Sequence, residues 1–215
     1  MLAIVQIPWQ HKSNTSYAGA LYAALDVIGS GNPELAQRVH DDNRLPPFSS
    51  SLYKGLLRIG TLTTDVFMAV AQSKLAYKAE RLAVCSFDDI ITKASNDRRV
   101  SISFLTPAAL GGFGNQTALP DPKWVFGSLV NRWRRFGGPV IPELRYDESC
   151  IVLADIEVRK VEIGDYSQRG NVGQVVYLVP EDVASWYNAL ADFAEFSGVG
   201  RKTTQGLGQV RRARS

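Results

Sequence analysis

The chain has 215 residues, of which 45% are hydrophobic and 21% are charged, and its formal net charge is +3. These values fit a folded protein of one large or two small domains. Its apolar runs are shorter than a membrane span, and the N-terminal segment lacks the basic lead of a signal peptide. Two cysteines, Cys85 and Cys150, make no disulfide framework. We therefore expect a cytoplasmic protein without a membrane partner, and the small net charge alone does not indicate a nucleic-acid ligand.

Hydrophobic periodicity predicts alternating strands and helices in the first half of the chain. The first strand is followed by a helix that Asn14 or Thr15 caps and that Gly29 ends. The predicted strands are residues 2–7, 48–52, 56–61 and 81–87, and two further helices are 33–39 and 65–79. Apart from the short helix at 33–39, the order is β-α-β-β-α-β, which is typical of ferredoxin-like or RRM-like domains.

The second half repeats this order. Its predicted strands are residues 100–105, 151–163, 172–179 and 207–210, and its predicted helices are 123–136 and 181–196. The aromatic residues of the helix at 123–136 fall on its buried stripe, so we interpret them as core, while Arg132, Arg134 and Arg135 are candidates for exposure. The predicted fold class is α+β, with tandem ferredoxin-like domains over residues 1–97 and 98–215.

A glycine-rich segment near the C-terminus carries the clearest functional signal. Four glycines bracket two cations and two hydroxyls, namely Gly198, Gly200, Arg201, Lys202, Thr203, Thr204, Gly206 and Gly208. Such a loop suits phosphate oxygens, which cations and hydroxyls bind and which glycine lets approach the backbone. It is not a nucleotide-binding P-loop, because no strand precedes it and Arg201 separates the lysine from the second glycine. A simple connector with solvated charges is the alternative.

Four segments together resemble the CRISPR-associated repeat endoribonucleases, the Cas-six family. They are F-S-G-V-G-R-K-T-T-Q-G-L-G at 196–208, His40 with the Pro-Pro-Phe-Ser-Ser-Ser segment at 46–51, I-S-F-L-T-P at 102–107, and G-N-V-G-Q-V-V-Y at 170–177. The resemblance implies the same tandem fold and metal-independent cleavage of precursor CRISPR RNA within its repeats. The 2′-hydroxyl would attack the adjacent phosphorus and give 2′,3′-cyclic phosphate and 5′-hydroxyl ends. The eight residues of the glycine-rich loop would bind the repeat RNA.

The residues themselves favour proton transfer over metal chemistry. Two separated histidines and two isolated cysteines do not make a zinc site, and acidic pairs such as Asp41-Asp42 are common on solvated turns. We therefore predict no metal and no cofactor. Histidine, whose ordinary pKa is about 6.5, is the natural proton carrier near neutral pH. His40 is favoured over His11 because it matches the family position, and a polar helix end is the alternative role for it.

Assisting residues and partners follow less directly. Some family members add a tyrosine and a lysine, for which Tyr22 and Lys54 are candidates, and Arg44 is an alternative cation. Ser49 and Ser50 either hold a phosphate or simply occupy a strand. Further partners that the resemblance allows are a CRISPR effector complex and a second copy of the chain. Two other functions stay open: a non-catalytic RNA-binding subunit of an effector complex, and a protein–protein adaptor.

Overall fold

The computed structural model describes residues 1–9, 17–42, 45–53, 55–111, 119–163 and 166–213. Its first half forms an antiparallel sheet with strand order β2-β3-β1-β4. The elements in chain order are β1 (Leu2–Pro8), α1 (Tyr17–Gly31), α2 (Pro33–Asp41), β2 (Phe48–Tyr53), β3 (Leu56–Thr61), α3 (Thr64–Gln72), β4 (Arg81–Cys85) and α4 (Phe87–Lys93).

The second half forms another antiparallel sheet, with strand order β6-β7-β5-β8. Its elements are β5 (Arg99–Ala108), α5 (Pro122–Arg135), β6 (Cys150–Ile163), β7 (Tyr166–Leu178), α6 (Ala184–Ser197) and β8 (Val210–Arg212). In each sheet the first and third strands of the half lie at the centre, flanked by the second and fourth, which is the ferredoxin-like arrangement. The predicted fold class, α+β with two tandem ferredoxin-like folds, is confirmed.

One apolar cluster contains residues of both halves, because the first sheet is covered on both faces. Alternate residues of β1 point to opposite sides. Leu2 and Ile4 pack into the cluster that contains α6, whereas Val5 and Ile7 pack with α1 and α3. Helix α6 therefore lies between the two sheets and contacts strands of both. The glycine-rich segment that follows α6 thus starts at the junction of the two halves.

Two predicted elements of the first half end early. Helix α3 stops at Gln72, well before residue 79, because Ser73 adopts an extended conformation and a short 3₁₀ turn follows at Ala76–Lys78. Strand β4 stops at Cys85 because Ser86 caps a helix that the sequence analysis did not predict. In this capping box the Asp89 N–H donates to Ser86 Oγ at 3.0 Å, and the Ser86 N–H donates to the Asp89 carboxylate at 2.8 Å.

Strands of the second half also differ from the prediction. The strand predicted at 172–179 begins earlier, because β7 starts at Tyr166 and pairs with β6 up to Ile163. Gly170 and Gly173 therefore lie inside β7. The last strand begins at Val210, later than residue 207, because a turn occupies the preceding residues. None of the helices in the described ranges is long and apolar enough to cross a membrane.

Candidate functional site

The glycine-rich loop follows α6 and is held against β5 by its own backbone. The Val199 N–H donates to the Gly208 carbonyl at 2.8 Å, so the two ends of the loop are joined. The Gly208 N–H donates to the Pro107 carbonyl at 2.9 Å, and the Arg201 N–H donates to the Ala109 carbonyl at 3.0 Å. The loop is therefore an ordered extension of the second sheet.

Two glycines of this loop are required by the backbone conformation and by close contacts within the protein. At Gly208, φ is +60°, and a Cβ atom would lie 1.9 Å from the Val199 carbonyl oxygen. At Gly200, φ is +80°, and a Cβ would lie 2.5 Å from the Ala109 oxygen. Both the backbone conformation and the space exclude a side chain there. Lys202 also has a left-handed backbone, with φ of 59°, so the turn at Thr203–Gln205 is tightly constrained.

Serines of β2 connect the first half of the chain to the loop. Ser49 Oγ donates to the Phe196 carbonyl at 2.7 Å. Ser50 Oγ lies 2.6 Å from the Thr204 carbonyl and 3.0 Å from the Ala20 carbonyl of α1. Its single proton can serve one of the two oxygens at a time. Both serines are fully buried, so they hold the loop against α1 and β2.

We expect Ser50→Ala to destabilise the fold by about 1–3 kcal/mol, because it leaves a buried carbonyl without its donor. Chemical denaturation measures this. Ser30→Ala is the matched control: Ser30 Oγ donates to the Val27 carbonyl at 2.9 Å on the exposed side of α1, and we expect its loss to change stability by less than about 0.5 kcal/mol. Equal effects of the two substitutions would contradict the role given to Ser50.

Two arginines, the buried Arg132 and the partly buried Arg58, support the loop from either side. Arg58 of β3 donates to Gln209 Oε1 at 2.6 Å and to the Glu195 carbonyl. Arg132 of α5 donates to the Gly200 carbonyl at 3.1 Å. Burial lowers the pKa of the Arg58 guanidinium to about 10, an effect that Glu195 partly opposes, and burial also lowers the pKa of Arg132 to about 10. Each remains a cation at neutral pH, held by backbone and amide oxygens.

The loop residues differ in their exposure. Lys202 is exposed and Arg201 is half-buried, so the loop presents two cations at or near its surface. Thr203 and Thr204 are only 2% and 8% exposed. Their backbone carbonyls accept hydrogen bonds from Gln209 and Ser50. These threonines face the protein interior, whereas the cations lie on the outer side of the loop.

His40 lies in the last turn of α2. The sequence analysis had ended this helix at residue 39, just before the histidine. Asn32 caps α2 by accepting from the Leu35 N–H at 3.0 Å, and the buried side chains of Leu35 and Val39 anchor the helix. The His40 side chain is 50% exposed, and its Nδ1 lies 3.4 Å from Asp41 Oδ1. Hydrogen bonds from Gln37 and then from His40 hold the pKa of Asp41 below its ordinary value. A carboxylate thus stands beside an accessible imidazole.

The other predicted catalytic residues are placed as follows. Tyr22 lies on α1, the helix that contacts the loop turn, and its side chain is 60% exposed. Within the described part of the chain, no hydrogen bond joins His40 to Tyr22. Lys54, together with the alternatives Arg44 and His11, lies outside the described residues. The described ranges contain no group of three or more His, Cys, Asp or Glu side chains that could hold a metal ion.

A groove of about 850 Å³ opens between α5 and the glycine-rich loop. The described residues that line it include Lys123, Trp124, Asn131, Arg134 and Arg201. The sequence analysis assigned the aromatic residues of this helix to the core. That assignment is confirmed for Phe126 and Trp133, which are fully buried, but it is wrong for Trp124, which is 39% exposed.

Comparison with known proteins identifies the family of this chain. The family model of the CRISPR-associated endoribonuclease Cas6 matches residues 102–210, about half of the chain. The chain belongs to the Cas6 family. Cas6 endoribonucleases of two Mycobacterium tuberculosis strains are each 27% identical to it over 153 residues. That match covers 66% of this chain and 48% of each relative, so the chain spans about half the length of these curated relatives.

Solved Cas6 structures share the fold along nearly the whole chain. A Thermus thermophilus Cas6 superposes with a TM-score of 0.78 at 22% identity, covering 99% of this chain and 97% of that one. A Cas6 product complex gives a TM-score of 0.78 at 23% identity, covering 99% of both chains. The Cas6 family match includes α5, the glycine-rich loop and most of β5. His40 and Tyr22 precede the matched residues, although they lie within the shared fold.

Several residues around the loop were missed by sequence reasoning. Arg58 gives no signal, since its partners are the distant Glu195 and Gln209. Ser49 and Ser50 were candidates for a phosphate site, but their hydroxyls face inward. Trp124 could have been found from its position on α5, opposite the buried residues Phe126, Leu129 and Trp133.

Proposed function

We propose that this Cas6 family protein cleaves precursor CRISPR RNA within its repeats, without a metal ion, by general acid–base catalysis. Family membership is the observation that carries the proposal, because the matched residues include the whole glycine-rich loop. The accessible imidazole of His40 supports the acid–base mechanism. In this assignment residues 1–97 carry the chemistry and residues 98–215 carry the RNA-binding loop.

The reaction needs two proton transfers and no external oxidant or metal. The 2′-oxygen forms a bond to the adjacent phosphorus and loses its proton, while the bond from phosphorus to the 5′-oxygen breaks and that oxygen gains a proton. The products are a 2′,3′-cyclic phosphate and a 5′-hydroxyl. His40 performs one of these transfers, and the Asp41 carboxylate oxygen Oδ1 lies 3.4 Å from its Nδ1. Tyr22 and Lys54 are proposed to assist, with the Lys54 ammonium stabilising negative charge at phosphorus.

The glycine-rich loop is proposed to bind the RNA, whereas His40 takes part in its cleavage. Arg201 and Lys202 contact phosphates, and the backbone N–H groups of the glycines can add hydrogen bonds. Thr203 and Thr204 act from within by holding the turn that presents these cations. The named structural relatives include an RAMP protein described as binding different RNA substrates, with a TM-score of 0.59 at 16% identity. Processed repeat RNA would then pass to a CRISPR effector complex.

Lys202→Ala should weaken repeat RNA binding and reduce the salt dependence, because each phosphate contact releases about one counterion. We expect the slope of log K against log salt concentration to fall by about 0.7–0.9. Fluorescence anisotropy over a salt series measures this. Lys74→Ala removes another exposed lysine and serves as the control. An unchanged slope for Lys202→Ala would contradict a phosphate contact at this position.

The proposed function is tested by incubating the protein with repeat RNA from the CRISPR array of its source organism in EDTA. End-group analysis should show one cut with a 2′,3′-cyclic phosphate and a 5′-hydroxyl. Cleavage that requires added Mg²⁺ would contradict the mechanism. Tight binding without a cut would instead indicate the non-catalytic RNA-binding subunit.

A further inference from the structure

One face of α5 forms the floor of the groove beside the glycine-rich loop. Trp124, Gly127, Asn131 and Arg134 recur at three- and four-residue spacing, so their side chains follow one line along the helix. All four line the groove. We call this feature the α5 groove. The opposite face of α5 carries the buried residues Phe126, Leu129 and Trp133, whereas Trp124, Asn131 and Arg134 on the groove face are exposed.

Gly127 is the informative residue of the α5 groove. Glycine inside a helix costs about 1 kcal/mol relative to alanine, so a helical glycine usually has a packing reason. Here no atom of the described structure lies within 4 Å of the position that a Cβ would occupy. The space is open and belongs to the groove. The missing side chain therefore leaves room for a ligand to approach the helix backbone from outside.

The charge and chemistry of the α5 groove fit RNA. Lys123, Arg134 and Arg201 supply positive charge, and Glu143 is the acidic residue among the described residues that line it. Trp124 presents a partly exposed aromatic ring on which a base can stack. Asn131 adds an amide that can hydrogen-bond a base edge. Aromatic stacking beside cations is the usual means of binding single-stranded nucleic acid.

The described positions at the centre of the two sheets offer no comparable platform. RRM-type sheets stack bases on exposed aromatic residues of the open face, but the first sheet is covered by α6. The second sheet presents Ser101, Gln174 and Val176 on its open side, and Gln174 donates to Ser101 Oγ at 3.0 Å. These three sheet residues are not aromatic and cannot stack a base, whereas Trp124 in the α5 groove can.

The α5 groove also leads towards His40. Arg135, at the end of α5, contacts Asp42 at 3.5 Å, two residues beyond His40. Trp124 and Arg135 are eleven residues apart, which places them on nearly the same side of the helix and about 16 Å apart along its axis. A strand lying along α5 would therefore run from the tryptophan to the end of α2 that carries the histidine.

We propose that the α5 groove binds a single-stranded nucleotide of the repeat RNA a few positions from the cut, with its base on Trp124 and its backbone close to Gly127. This proposal rests on the proposed function and assigns that function a second contact region. Cations of the groove contact the phosphates on either side of the stacked base.

The test measures RNA affinity and thermal stability for the same variants. The probe is the repeat RNA with a 2′-deoxy nucleotide at the cut, which blocks the reaction. Gly127→Ala should raise Tm by about 2–4 °C, because it removes a helical glycine, while weakening binding at least fivefold. Trp124→Ala should weaken binding about tenfold. Tyr77→Ala is the matched control, since Tyr77 is an exposed aromatic residue outside the groove.

The outcomes separate this proposal from the proposed function. If the wild type cuts repeat RNA while Gly127→Ala and Trp124→Ala bind as tightly as wild type, only the α5 groove proposal is overturned. A lower Tm for Gly127→Ala would also overturn it, because the glycine would then have a reason within the fold. If the wild type neither binds nor cuts repeat RNA, both proposals fail, and a protein ligand becomes the occupant to seek.

Discussion

Replacing His40 by alanine is expected to lower the rate of repeat cleavage by about 10²–10⁴-fold, the usual contribution of a positioned acid or base. The substitution should leave the fold intact, because the imidazole is half exposed and Leu35 and Val39 anchor α2. RNA affinity should change little, since the loop cations lie on another element. Single-turnover cleavage at saturating protein, together with binding of the 2′-deoxy probe, measures both quantities.

The second histidine provides the control for this substitution. His11→Ala removes the same side chain from a polar segment between the first strand and the first helix, and we expect it to cut at the wild-type rate. If His40→Ala cuts as fast as wild type, His40 has no part in proton transfer. If both variants lose activity equally, the assignment of one catalytic histidine is wrong.

Gly208→Ala is expected to destabilise the protein by about 3–5 kcal/mol, among the larger effects of a single substitution. An added Cβ would lie 1.9 Å from the Val199 carbonyl oxygen. Relief of this clash must break the hydrogen bonds that Gly208 makes with Val199 and Pro107. The loop would open at its closure, so RNA affinity should fall with stability. Chemical denaturation and binding to the 2′-deoxy probe measure the two effects.

A second glycine isolates the contribution of the clash. Gly137 has φ of +86° and no atom within 4 Å of its Cβ position. Gly137→Ala therefore adds the backbone penalty alone, about 1–2 kcal/mol. A cost for Gly208→Ala no greater than that for Gly137→Ala would show that the loop adjusts freely and that its closure is not rigid.

Most of the fold was predictable because it follows local patterns. Helix α5 and strand β5 each depend on spacing within one element, and both were predicted, although Trp124 was wrongly assigned to the buried stripe of α5. Helix α4 was missed because it is only seven residues long, too short for a clear periodic signal. The only sequence signal for its start is the capping box, in which Asp89 follows the N-cap residue Ser86 by three positions.

The site was less predictable because its contacts cross the chain. The glycine-rich loop was found from composition, but the inward direction of Thr203 and Thr204 depends on Ser50 and Gln209. Burial of Arg132 also contradicts the usual exposure of a charged residue on a basic helix. It follows from the position of α5 against Gly200, which no pattern within α5 records. Exposure of Trp124, in contrast, follows from its place opposite the buried stripe.

The position of α6 between the sheets has a consequence for the cooperativity of the protein. Leu2 and Ile4 of the first sheet and Phe193 of α6 belong to one apolar cluster, so separating the halves would expose apolar surface on each. We therefore expect the two halves to unfold together in one cooperative transition. The glycine-rich loop and His40 come from opposite halves, so a substitution that destabilises either half is expected to lower the folded fraction of both.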